Sequence, residues 1–199
     1  MCRIRNRKPV ISNFCGRDTI PYRNVSTFDW LHVSLENLNS SLAGELIGRI
    51  LKASPTFFEN LIIKLLVAMG YSNNVDEAWE HTGKSGDDGI DGVINQDVLG
   101  VDKIYIQAKR YADNHSVTAG DLRNFIGALD MCRAVKGVFV TTSNFTADAQ
   151  NTIKKASKNI VLINGERLAR LMIKYSVGCK TKDTVNIQKI DEDFFEEMQ

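Results

Sequence analysis

A chain of 199 residues, 43% hydrophobic and 25% charged, is long enough for one globular domain with a modest appendage, and it excludes a wholly disordered protein. Its 25 Lys and Arg against 24 Asp and Glu leave a net charge of +1, so nucleic-acid binding would need a local basic surface. The longest apolar runs, such as LIIKLLVAM at 61–69, are broken by charge and too short to span a bilayer. The basic N-terminus lacks an apolar signal segment, so the expected location is the cytoplasm, without membrane contact.

Residues 1–41 read as a basic N-terminal extension of unclear structure, set before a domain at 42–199. Between 1 and 30, Arg3, Arg5, Arg7, Lys8, Arg17 and Arg23 outnumber Asp18 and Asp29, and no sustained periodicity follows. A helix-like stretch begins at Leu42. Ser54-Pro55 starts a fresh helix, because Ser caps and Pro fits the first helical position. Phe58, Leu61, Ile62, Leu65, Leu66 and Met69 give it one apolar face, and Gly70 is placed to end it.

After the glycine-rich SGDDGIDG at 85–92 the period changes. Residues 90–95 and 103–110 read as two strands joined by the loop QDVLGVD, the second alternating Ile104, Ile106 and Ala108 with Tyr105, Gln107 and Lys109. Thr118 with Asp121 forms a capping-box pattern that opens a helix with the stripe Leu122, Phe125, Ile126 and Leu129. GVFVTT at 137–142 and IVLIN at 160–164 read as buried strands, with helices near 146–157 and 166–175. The acidic run from Asp191 to Glu197 reads as a solvated end. This order predicts an α/β, three-layer architecture, a mixed central β-sheet flanked by helices. Cys2, Cys15, Cys132 and Cys179 are scattered without a C-x-x-C pair and read as reduced, mostly packed thiols.

Strand alternation puts Gln107 and Lys109 on one face, beside a strand that begins at Asp91. A carboxylate, an amide oxygen and an ammonium could thus converge, the set that metal-assisted phosphodiester hydrolysis needs. Asp91 would anchor the ion, Gln107 would add a neutral oxygen, and Lys109 would orient water and steady the developing charge. Glu59, beside the apolar stripe of the Pro55 helix, is a candidate second carboxylate. Alone, Asp91 after glycines would be a turn residue and Glu59 a solvated one; the combination with Gln107 and Lys109 favours the site. Lys84, Arg110, Arg123, Lys154 and Lys155 are candidate phosphate contacts that could equally be surface cations. Tyr105 and Tyr111 read as packing residues.

The blocks FFENLIIKLLVAMGY, SGDDGIDG, YIQAKRY, GVFVTTSNFT and IVLINGERLARLMIKYSVG, in this order, resemble the catalytic domain of Mrr-type restriction endonucleases, within the PD-(D/E)XK nuclease superfamily. The resemblance implies a restriction-endonuclease-like fold and a Mg²⁺-dependent endodeoxyribonuclease, with Mn²⁺ as an alternative ion, acting on double-stranded DNA in restriction of foreign, including methylated, DNA. It also implies that Asp91 binds metal in the GIDG block, that Gln107 and Lys109 form a Q-x-K version of the (D/E)XK element, and that Glu59 assists. A homodimer on DNA is expected, because cutting both strands generally takes two sites. Mrr-type enzymes usually carry an N-terminal winged-helix domain that helps select DNA, and residues 1–41 do not match its length or pattern. Gln stands where the superfamily usually has an acidic residue.

Two other readings compete. A non-cleaving DNA-binding module of the same fold is disfavoured by intact Asp91 and Lys109. AWEHTGKS at 78–85 fits a relaxed phosphate-loop pattern with Ala78 for the first Gly, but GDDGIDGVIN follows it and cannot open the helix that a phosphate loop requires.

Overall fold

The computed structural model describes residues 26–71, 89–97, 99–112 and 114–197. The phosphate-loop candidate at 78–85, Lys84, Cys2 and Cys15 lie outside the described residues. The chain divides between Glu36 and Asn37 into two units.

Helix α1 (Thr27–Lys52) begins well before the Leu42 stripe, so the described part of the expected extension is helical. Its start has a local cause. The Asp29 carboxylate accepts from the Ser26 N–H (2.9 Å) and hydroxyl (2.8 Å), while the Asp29 N–H donates to Ser26 Oγ (3.2 Å), a reciprocal cap built on Ser-x-x-Asp. Helix α2 (Pro55–Ala68) follows, with Ser54 accepting from the Phe57 N–H (3.1 Å) and Gly70 at φ +89° just beyond its end.

Among the described residues four strands form one sheet in the order β1 (Gly92–Asn95), β2 (Lys103–Lys109), β3 (Lys136–Thr141), β4 (Asn159–Ile163). The hairpin β1–β2 is antiparallel, and the β2–β3 and β3–β4 pairs are parallel. Parallel neighbours need crossovers, supplied by α3 (Ala119–Met131) and α4 (Ala147–Lys154). Helix α5 (Gly165–Lys174) follows β4, and a short exposed α6 (Glu192–Glu196) lies in the acidic run.

Alternation along the strands divides the core. Ile94, Ile104, Ile106, Val138 and Val140 pack with Leu46, Ile50, Phe58, Leu61, Ile62 and Leu65 of α1 and α2 and with Leu168 and Met172 of α5. On the other face Val93 and Phe139 pack with Leu122, Phe125 and Leu129 of α3 and Ala149 of α4, and Tyr105 and Leu162 border that cluster. The result is the three-layer α/β arrangement with a mixed sheet.

Two expectations need correction. IVLIN is not a fully buried strand: β4 is the sheet's last strand, and Asn159 and Val161 are exposed on it. Its apolar character serves only the residues that face a helix layer. Cys132, the C-cap of α3, is exposed rather than packed, while Cys179 is half-buried.

Gly165 fixes the approach of α5 to the sheet. Its N–H donates to Ser143 O (2.9 Å), and a Cβ added there would lie 2.2 Å from Thr142 O, a backbone atom that cannot swing aside. Gly165→Ala is therefore expected to destabilise the fold by about 2–3 kcal/mol, the upper range for overpacking, read as a lower midpoint in urea unfolding. An unchanged midpoint would show that α5 can shift without loss.

Candidate active site

The site lies where β2 ends beside the start of β1. The Asp91 N–H donates to Ile106 O (2.8 Å), and its carboxylate Oδ2 accepts from the Ala108 N–H (2.6 Å). Asp91 is thus tied to β2 on both sides of Gln107. The Gly92 to Ile106 register, continued by one residue, sets Asp91 across from Gln107. Burial pushes the Asp91 carboxyl above its usual range, and the Ala108 hydrogen bond and the charge of Lys109 oppose this without cancelling it.

Gln107 is 3% exposed, and its Oε1 is buried without a hydrogen-bond partner. Leaving such an atom unpaired costs on the order of 1–3 kcal/mol. The amide also explains a glycine. Gly89 has φ +91°, and a Cβ there would stand 2.7 Å from Gln107 Nε2. Any larger residue would have to displace the amide or strain the turn.

Lys109 is half-buried, and its carbonyl is fixed by the Thr141 hydroxyl (2.8 Å) and the Tyr111 N–H (3.1 Å). Ile104, Ile106 and Ala108 face the α1, α2 and α5 layer, which leaves Gln107 and Lys109 on the face covered by α3 and α4. The structure therefore joins Asp91, Gln107 and Lys109 as expected. Glu59 is half-buried on α2, which packs over β2 from the opposite face, beside the fully buried Phe58.

The candidate phosphate contacts divide. Arg110 is committed to the fold, since its Nη1 donates to Leu51 O (2.7 Å) and to Ala53 O at the C-terminal end of α1. Arg123 is exposed in the second turn of α3, at the end of the sheet where β2 finishes. Lys154 and Lys155 are exposed at the end of α4, which leads into the Asn159 end of β4. Asn159 pairs with Lys136, whereas Lys109 pairs with Thr141, so these two lysines stand toward the opposite end of the sheet.

Two residues beside Lys109 were read from sequence only as capping and packing groups. The Asp121 carboxylate accepts from the Thr118 N–H (2.8 Å) and hydroxyl (2.7 Å), and from the Tyr111 hydroxyl (3.4 Å). Burial opposes its ionisation, but these donors and the charge of Lys109 outweigh it and hold the carboxyl below its usual range. The capping box explained Asp121 completely as a local feature, so its spacing from Lys109 carried no separate signal.

Residues 50–172 match the Mrr catalytic family, described as restriction endonuclease. A curated relative, the type IV methyl-directed restriction enzyme EcoKMrr of Escherichia coli (strain K12), is 39% identical over 168 residues, covering 84% of this chain and 54% of the relative. The chain therefore spans about half the length of that protein. Among solved structures, the DNA modification-dependent restriction endonuclease AspBHI is similar with a TM-score of 0.55 at 20% identity, over 71% of this chain and 36% of that one. At that identity the likeness bears on the fold alone.

Proposed function

The chain belongs to the Mrr-type restriction endonuclease catalytic family, and from this we propose that it is a metal-dependent endodeoxyribonuclease that hydrolyses DNA phosphodiester bonds in restriction of foreign DNA. The observation that carries this reading is the convergence of Asp91, Gln107 and Lys109 where β2 meets β1. Methylated DNA is the substrate class suggested by the relative's description. We further propose that the protein works in the cytoplasm and as a homodimer on double-stranded DNA, one site for each strand.

The residues fit a hard divalent cation. A carboxylate made unfavourable by burial and a buried amide oxygen without a donor would each be relieved by a bound cation. Asp91 and Gln107 would hold it, with Glu59 as an auxiliary residue; Mg²⁺ is proposed, and Mn²⁺ as its substitute. Once bound, such an ion polarises the phosphate and lowers the pKa of water. Lys109 supplies a positive charge that orients the attacking water and stabilises negative charge on the phosphorus oxygens. Arg123, at the same end of the sheet, is the described cation best placed for a flanking phosphate.

The test is nicking of supercoiled plasmid, methylated and unmethylated, with Mg²⁺ and with chelator. Nicking that chelator abolishes is expected; tight DNA binding without nicking under any divalent ion would instead leave a non-cleaving module. Gln107 can be tested separately. Gln107→Glu adds charge to the ion's ligand set at similar shape and should lower the Mg²⁺ concentration for half-maximal cleavage, while Gln107→Leu should raise it sharply. If both variants titrate like wild type, Gln107 is a packing residue.

A further inference from the structure

Asp121 does more than the cap requires. Its Oδ2 completes the capping box with Thr118, while Oδ1 is met by the Tyr111 hydroxyl at 3.4 Å. Tyr111 belongs to a segment fixed at two carbonyls: the Thr141 hydroxyl donates to Lys109 O (2.8 Å) and the Thr142 hydroxyl to Tyr111 O (2.7 Å). The side chains of Lys109 and Tyr111, two residues apart, share the sheet face that α3 covers. Asp121, in the first turn of α3, overhangs that same face. Asp91 lies across the hairpin beside this end of β2 and Asp121 at the start of α3 over the same face, and the charge of Lys109 bears on both carboxylates.

This placement matters once a divalent ion is at Asp91. Bound there, an ion would offset the charge of that carboxylate and would repel an ammonium on a flexible four-carbon stem. Asp121 is the counterweight. Its negative charge is kept ionised by the Thr118 donors and suits a helix N-terminus. Resting on the nuclease reading above, we propose that Asp121 is a positioning residue, whose carboxylate, oriented by Tyr111, keeps the Lys109 ammonium at the scissile phosphate when a divalent ion occupies Asp91.

The full-length chain, supercoiled plasmid and Mg²⁺ provide the test, with single-turnover nicking rate, DNA affinity, Mg²⁺ requirement and melting temperature all measured. Asp121→Asn should slow nicking by about tenfold to a hundredfold, as misplacement of a reacting group does, with DNA affinity and Mg²⁺ requirement unchanged. Asp121→Glu should restore most of the rate. Thr118→Ala removes the two capping bonds made by its hydroxyl but leaves its backbone N–H on the Asp121 carboxylate, and should lower the melting temperature while keeping the rate. In a Lys109→Met background Asp121→Asn should cost nothing further, because the group it positions is gone. Should Asp121→Asn fail to fold, Tyr111→Phe leaves the cap intact and should slow nicking several-fold by the same misplacement.

Wild-type nicking by Asp121→Asn, an equal rate loss in Thr118→Ala, or additive losses with Lys109→Met would each overturn the assignment. Without Mg²⁺-dependent nicking by wild type, the nuclease reading falls and takes this one with it. Nicking by wild type with an unaffected Asp121→Asn removes only the positioning role.

Discussion

Asp91→Asn is expected to abolish nicking, by on the order of a thousandfold or more, while the metal-free variant melts at the wild-type temperature or above it. The two halves of this result come from one feature. Burial penalises the charge of the Asp91 carboxylate. A carboxyl whose pKa is raised by folding stabilises the fold while protonated; that contribution is present below the unfolded value and lost as pH rises through the folded one. The ionised group is therefore a burden on the metal-free fold. Asn removes the charge, and its amide oxygen can still accept the Ala108 N–H that now ends at Oδ2. Added Mg²⁺ should raise the melting temperature of wild type and leave that of Asp91→Asn unmoved. Wild-type nicking by the variant, or an equal Mg²⁺ shift in both proteins, would remove Asp91 as the anchor.

The parts of this protein that were legible from sequence are those set by local rules. Alternation along Ile104 to Lys109 gave the right faces, because a strand covered by helices on both sides must sort its side chains by layer. Thr118 and Asp121 gave the start of α3, because the cap is made within one turn. The same rule applies at Ser26 and Asp29, whose reciprocal bonds mark the start of α1. What local rules do not encode is pairing between distant segments. That Arg110 is used by Leu51 and Ala53 follows from α1 ending near the end of β2, a tertiary fact with no trace in spacing. The exposed positions of β4 depend on its standing last in the sheet among the described residues. Asp91 and Gln107 were accessible because a hairpin joins them; Asp121 meets Tyr111 through the fold, past the connection that leads to α3.

Lys109→Met separates rate from binding. Met retains the apolar stem, so a half-buried side chain keeps most of its packing while the ammonium disappears. If Asp91 and Gln107 hold the ion, the Mg²⁺ shift in melting temperature should survive, because Lys109 contributes no oxygen to it. DNA affinity should fall by little more than one phosphate contact, seen as a salt slope smaller by about one. The nicking rate should nevertheless drop by about a hundredfold to a thousandfold, the range for removing one preorganised donor to a developing oxyanion. Lys109→Arg offers a finer comparison. It keeps the charge but presents a planar, wider group in place of a compact ammonium, so it should recover only part of the rate. A Lys109→Met protein that nicks normally at saturating Mg²⁺, needing only more metal, would make Lys109 a group that tunes ion affinity through Asp91 and leave the oxyanion to the metal and the bound water.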